Sequence, residues 1–420
     1  MLLFYSLALA LVLLVGAPFW LFRMATSGKY REGLGERLGF VPDRLLRVRS
    51  KTPVIWVHAV SVGELLAAAR MIEELRKRMS GWRIVISTTT RTGQALARQR
   101  FGAENVFYFP LDFAFAVRAY LRAFKPRMLV LMETEFWPRL LVECRRQGIP
   151  VAVVNARISD RSWPRYRRLR FIWKRLLNSL ALVLAQSETD VERLQALGAA
   201  HVRLGGNLKY DIRTAEPNAV TQALLQHAPK GTKVLVCGST LEGEERMLLD
   251  AAPPDTLTIL APRHPERFEA VVEMLERSGK AWHRRSKWMA MPTQLKAGDI
   301  FLLDSIGELA SVYSLATVAF IGGSLVPAGG HNPLEAAQFR VPIVMGMHYE
   351  NFRAIVEQLR EKDAIRIVDQ AKLTEVLMNL LENSQQAQLV GERAFAMFVS
   401  KAGATVRAVD ALVAVVGGQA

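Results

Sequence analysis

Two doubly wound α/β domains, preceded by an apolar helix, are the architecture this sequence predicts, and three observations predict it. Short, wholly apolar runs alternate with helix-like segments, the signature of a parallel sheet covered on both faces. The alternation runs through one set, pauses in a polar stretch, and restarts. The 420 residues also exceed one ordinary core of roughly 100–200 residues, so two domains of comparable size fit the length.

The elements follow in order. Leu2 to Phe22 carries no charged residue. At about 1.5 Å per residue it spans roughly 31 Å, enough to cross a hydrocarbon core. A cleaved signal peptide fits poorly, because no charge precedes the apolar run and no small-x-small site follows it. The segment 23–51 then holds eight Lys/Arg against three Asp/Glu. A basic flank on that side predicts a single N-terminal span, residues 1–22, with the body on the cytoplasmic face.

From Thr52 the runs Val54–His58, Ile84–Ser87, Met128–Met132, Val151–Asn155 and Leu182–Ala185 read as buried strands. The segment Glu64–Met79 has helical spacing of its apolar residues. A second set comprises Lys233–Gly238, Leu257–Ala261, Ile300–Leu303, Val318–Ile321 and Val341–Met345. Between the sets, Tyr210–Gly231 is polar, carries Pro217 and Pro229, and reads as a linker. The expected domains are therefore 52–215 and 216–420, with the final helix free to pack back on the first. In open α/β sheets ligands bind beyond the carboxyl ends of strands, so two facing domains predict a cleft there.

Composition excludes several classes. A chain 50% hydrophobic and 22% charged is neither disordered nor collagen-like. Cys144 and Cys237 make no disulfide framework and no CxxC zinc site, which agrees with a reducing compartment. The seven His show no HExxH spacing, so no metal is expected. The net charge of +16 favours a polyanionic partner: nucleic acid, an anionic membrane or a phosphorylated substrate.

The candidate chemistry lies just after predicted strands, where loops carry function. In HAVSVGE, Ser61 and Glu64 form an S-x-x-E capping box; alternatively Glu64 is a general base, with Gly63 leaving room for substrate. In METEFWP, Glu133 and Glu135 at i and i+2 share one face of an extended segment. Adjacent carboxylates repel, which raises one proton affinity, unless the pair is simply solvated. Pro138 starts a helix or ends the strand, and Trp137 offers a flat apolar surface for a sugar ring. Lys209 in NLKYD is either a solvated charge or a cation for phosphate or carboxylate. In APRHPERF, the prolines stiffen a loop bearing Arg263, suited to bidentate phosphate binding.

The stretch GGHNPLEAA has Asn332 as N-cap, Pro333 at N1 and Glu335 at N3, and its glycines allow close approach of an anion to the helix start. Neither GxGxxG after the first strand nor GxxxxGK[ST] is present, so NAD and P-loop chemistry have no support. The run 157–175 has eight Lys/Arg, including Arg157, Arg161, Arg165, Arg167 and Arg168, interleaved with Trp163, Tyr166, Phe171 and Trp173. Beside an N-terminal anchor, that pattern favours an anionic lipid surface over nucleic acid or a plain solvated face.

Taken together and in order, HAVSVGE, METEFWP, NARISDRS, NLKYD, APRHPERF, FIGGSLV and GGHNPLEAA, with GERLGF near the start, resemble the transferases of 3-deoxy-D-manno-octulosonic acid (Kdo). The resemblance covers nearly the whole chain. It implies a GT-B glycosyltransferase with two Rossmann-like domains across a cleft, anchored in a bacterial inner membrane, moving Kdo from CMP-Kdo to the lipid A precursor lipid IVA in lipopolysaccharide biosynthesis. It places the catalytic base on Glu64, a second acid on Glu133 or Glu135, and a stabilising cation on Lys209. CMP contacts fall on Pro262, Arg263, Ile306, Gly307, Glu308, Asn332, Pro333, Leu334 and Glu335. Arg139 stands where the family has Asn, which bears on how that helix is capped. No cofactor and no nucleic-acid partner is implied. The competing expectations are a UDP-sugar transferase of the same fold and a non-catalytic membrane-bound binding protein.

Overall fold

A computed structural model describes residues 2–27, 32–46, 52–211 and 215–418. The chain divides into two compact units, one spanning Met1–Asp211 and Gly403–Ala420, the other Ile212–Ala402. The division lies at Asp211, a little before the expected 215. Its cause is local: the Asp211 carboxylate accepts from the backbone N–H groups of Gly403 and Thr405, tying this point to the start of the last helix, Ala404–Gly417.

The first unit is built on β1 (Val54–His58), β2 (Arg83–Thr88), β3 (Val106–Tyr108), β4 (Met128–Met132), β5 (Val151–Ala156), β6 (Leu182–Ala185) and β7 (Val202–Leu204). All pair in parallel, in the order β3-β2-β1-β4-β5-β6-β7. Every residue of β1, β4 and β6 is buried, as continuous apolar strands require when helices cover both faces. Along β1, Ile55 and Val57 join the layer containing Leu65, Leu75 and Leu412, while Val54 and Trp56 join Phe107 and Tyr120 on the opposite face. Full burial of each such side chain contributes about 1.5–3 kcal/mol.

The second unit carries β8 (Val234–Thr240), β9 (Leu257–Pro262), β10 (Trp282–Arg284), β11 (Ile300–Leu302), β12 (Val318–Ile321), β13 (Ile343–Met345) and β14 (Arg366–Ile367). They are again all parallel, in the order β10-β11-β9-β8-β12-β13-β14.

Four short strands, β3, β7, β10 and β14, have no counterpart in the sequence prediction. All four are edge strands of only two or three residues. Val341 and Pro342 lie outside β13, since proline has no N–H to give a central ladder. The expected linker Tyr210–Gly231 contains a helix, Ala219–His227, whose N-cap Asn218 accepts from Thr221 N–H at 2.9 Å.

At the N-terminus one helix runs Leu2–Ser27. Its stretch Leu2–Trp20 has mean hydropathy 2.3 with none of it buried, and is long and apolar enough to cross a membrane. Residues 28–31 and 47–51 of the predicted basic segment 23–51 lie outside the described residues.

Candidate active site

In the first sheet the strand order reverses between β1 and β4. Loops leaving these two carboxyl ends run to opposite faces and leave a crevice at the sheet end. After β1, Ser61 in extended conformation caps the helix Val62–Arg78. Its Oγ accepts from Glu64 N–H at 3.4 Å and donates to Glu64 Oε1 at 3.1 Å. The second carboxylate oxygen accepts from Val60 N–H at 2.8 Å, one residue before the position a standard capping box uses. Capping and acid–base chemistry are thus compatible at Glu64. The residue is buried, and burial raises its proton affinity, as does the charge of Glu133; the Val60 and Ser61 bonds and Lys209 oppose the rise.

After β4 the chain turns at once. Glu133 has φ 55°, a left-handed conformation, so the pair does not lie on one face of an extended segment as the spacing predicts. The turn still brings the carboxylates into each other's field. Glu135 is half-buried, and burial together with the charges of Glu64 and Glu133 pushes its carboxyl up to about 7. Pro138 begins the helix Pro138–Arg146. Asp112 caps it, accepting from Arg139 N–H at 2.8 Å and Leu140 N–H at 2.9 Å, so the helix start is capped without the side chain at 139. Trp137 is not an open platform: its ring packs 5.0 Å from Phe109 and 6.3 Å from His58.

Lys209 sits in the 3-10 turn Leu208–Tyr210 with Nζ 3.9 Å from Glu133 Oε1. Both side chains are partly exposed, so this contact adds at most about 1 kcal/mol to stability. Its consequence is placement of a cation among three acids. Glu64, Glu133, Glu135 and Lys209, distant in sequence, are thereby gathered at one sheet end.

The basic run forms the helices Trp163–Arg168 and Arg170–Leu177. Arg157, Arg161, Arg165, Arg167 and Arg168 are exposed, and among the described residues none of them is ion-paired. Most of the interleaved aromatics turn inward, with Tyr166 and Trp173 rings 5.0 Å apart and Phe136 5.8 Å from Trp173, while Phe171 points outward. Burial and the charge of Glu135 raise the proton affinity of Tyr166, so the middle of the run lies near that acid.

In the second unit Pro262 ends β9, and Arg263 follows with its side chain exposed and its N–H donating to Thr240 O at 3.0 Å. Glu335 is pushed up by burial, opposed by the nearby Arg263 charge. His331 is held down to about 4 by burial and by Arg263 and His264, so it is neutral at neutral pH. Asn332 Oδ1 accepts from Leu334 N–H at 3.1 Å, but Pro333 takes the N-cap position, so Asn332 stands one residue before the place expected for it. The helix is only Leu334–Ala337, and it ends before Arg340 at φ 59°. One turn gathers little dipole, so the helix contribution expected for an anion there is small. In the other predicted donor loop, Gly307 has φ 91°, Ile306 is exposed, and Glu308 accepts from Arg285 at 2.6 Å. Among the described residues no hydrogen bond or ion pair joins this loop to Arg263 or Glu335.

Sequence reasoning missed the residues that brace these turns. Glu244 is fully buried and accepts from the N–H groups of Leu241, Gly323, Ser324 and Leu325 at 2.7–2.9 Å, fastening the turn after β8 to the glycine turn after β12. The signal was present, since GSTLEGEE follows a strand just as HAVSVGE does. Among the described residues, no group of three His, Cys, Asp or Glu side chains is arranged to hold a metal ion.

Two parallel-sheet Rossmann-like units make up the GT-B fold. The crystal structure of MurG from Acinetobacter baumannii has this fold at 16% identity, with a TM-score of 0.52 over 86% of this chain and 98% of that one. The family model for 3-deoxy-D-manno-octulosonic-acid transferase (kdotransferase) matches residues 32–212. The 3-deoxy-D-manno-octulosonic acid transferase of Haemophilus influenzae is 32% identical over 92% of each chain, and that of Bordetella pertussis is 34% identical over 94% of each. The chain belongs to the 3-deoxy-D-manno-octulosonic acid transferase family and is a glycosyltransferase.

Proposed function

We propose that the protein transfers Kdo from CMP-Kdo to the lipid A precursor lipid IVA in lipopolysaccharide biosynthesis, inverting the anomeric centre with Glu64 as general base. The observation that carries this reading is the gathering of Glu64, Glu133, Glu135 and Lys209 at the β1/β4 switch point, with the Glu64 carboxyl made more basic by burial and by Glu133. A buried carboxylate of raised proton affinity is suited to take a proton from a sugar hydroxyl. The acceptor oxygen, losing its proton to Glu64, forms the new bond to the anomeric carbon. The bond from that carbon to the CMP phosphate oxygen breaks, and the phosphate leaves with the electron pair. Attack opposite the leaving group inverts the centre through an oxocarbenium-like state.

Negative charge must be met on the donor carboxylate and the departing phosphate. Lys209 and Arg263 supply fixed cations for it, and no metal ion is required in this scheme. The helix at Leu2–Phe22 anchors the chain in the inner membrane, with the catalytic body cytoplasmic. The Arg157–Arg175 surface then faces anionic lipid or the acceptor phosphates. Mass analysis of lipid IVA incubated with full-length protein and CMP-Kdo tests the reading. The expected product is lipid IVA heavier by Kdo; product formed only with UDP-sugars overturns the donor assignment.

A further inference from the structure

Asn155, at the end of β5, is buried in a left-handed backbone conformation. It is 1% exposed and has φ 61°. That conformation costs an ordinary L-residue roughly 1 kcal/mol or more, and Asn tolerates it better than most. Here it breaks the register between β5 and β6 at Val153/Ala156. Bulges of this kind re-aim side chains beside functional sites. The neighbouring strand β4 ends in the same way, with Glu133 at φ 55° and its N–H donating to Val154 O at 2.9 Å.

The bulge turns the Asn155 side chain onto the segment that carries Lys209. Its Oδ1 accepts from Leu208 N–H at 3.0 Å. Its backbone carbonyl accepts from Gln186 Nε2 at 2.9 Å, and Gln186 Oε1 accepts from Asn207 Nδ2 at 3.0 Å. Asn207 Oδ1 in turn accepts from Lys209 N–H at 3.0 Å. These bonds link Asn155, Gln186, Asn207 and the backbone of Leu208 and Lys209. Among the described residues the Nδ2 of Asn155 is buried without a partner. A buried donor left unsatisfied is costly, whereas the oxygen of the same side chain holds Leu208 N–H.

We propose that Asn155 is a positioning residue: by holding the 207–209 turn from the end of β5, it sets the place of the Lys209 ammonium beside Glu133. The proposal rests on the reading of Lys209 as the cation of the transfer site. It is independent of which sugar acceptor is used.

The test compares turnover and thermal midpoint of full-length Asn155→Ala, Asn155→Gly, Asn155→Asp and Lys209→Ala, with the double variant N155A/K209A. Glycine suits φ 61° and folds without strain, but it removes the oxygen; aspartate keeps an acceptor and tolerates the conformation. N155A and N155G are expected to lose about tenfold or more in turnover, in line with the cost of displacing a reacting group by about 1 Å. N155D is expected within about threefold of the parent, and N155A to lower the rate less than about twofold when added to K209A. Parental turnover in N155G, or additive losses in the double variant, overturns the positioning role while leaving Lys209 in place. Parental turnover in K209A overturns the reading of Lys209 and this proposal with it.

Discussion

Replacing Glu135 by glutamine should stabilise the protein, and only where the pH is high enough to ionise the native residue. In the fold its carboxyl is pushed from 4.5 to about 7 by burial and by the charges of Glu64 and Glu133. Below about pH 4.5 the group is protonated folded and unfolded alike, and it costs nothing. As pH rises from there towards 7 the unfolded chain releases its proton first, so stability falls; above 7 the loss is constant. At about 1.4 kcal/mol per unit the shift sets a ceiling of roughly 3 kcal/mol. Because Glu135 is only half-buried, solvent screening reduces this to about 1–2 kcal/mol. For a unit of this size that is about 3–6 °C in midpoint. The assay is thermal unfolding of full-length protein in detergent at pH 5 and pH 8, parent against Glu135→Gln. The variant should melt higher at pH 8, with little difference at pH 5. An equal change at both pH values, or a lower midpoint at pH 8, would refute the electrostatic account of this cluster.

Further outcomes follow from the same geometry. Glu64→Gln should lower Kdo transfer by about 10²–10⁴ while CMP affinity, measured by calorimetry, stays close to the parent; retention of more than about a tenth of turnover removes Glu64 from the role of base. Arg263→Ala should weaken CMP binding by about 1.5–3 kcal/mol, the cost of a charge-assisted contact, and unchanged affinity would leave Arg263 a structural residue. Transfer should persist in EDTA, because Lys209 and Arg263 meet the donor's charges; loss restored by Mg²⁺ would sink the metal-free scheme. Deleting Leu2–Phe22 should convert salt-resistant membrane attachment into salt-sensitive attachment, with each basic residue near the surface adding about 1 kcal/mol. Sedimentation with anionic vesicles at low and high salt reads this directly, and a full-length protein washed off by salt excludes a spanning helix.

The sequence by itself determined the repeating strand–helix plan, because burial on both faces demands unbroken apolar strands such as MLVLM and VIWVH. It also placed Glu64, Glu133, Glu135 and Arg263 just after strands, and the ordered motifs identified the family. Capping at Ser61 was equally legible, since a cap is a bond over two or three residues. Interactions across long sequence separations were not. Glu135 owes its raised proton affinity first to burial and then to the charge of Glu64, 71 positions away, and Arg139 N–H is capped by Asp112 from another loop. The left-handed turn at Glu133 overrode the extended face that i and i+2 spacing suggests, because the chain must leave β4 beside a bulged β5. The glycine-preceded helix at Leu334 proved to be a single turn for a related reason: its length is set by where Arg340 turns the chain into β13, and local propensity has no part in that. Strand order decided the rest. The pairing of β1 with β4, which no local pattern encodes, brings the two acidic loops to one place.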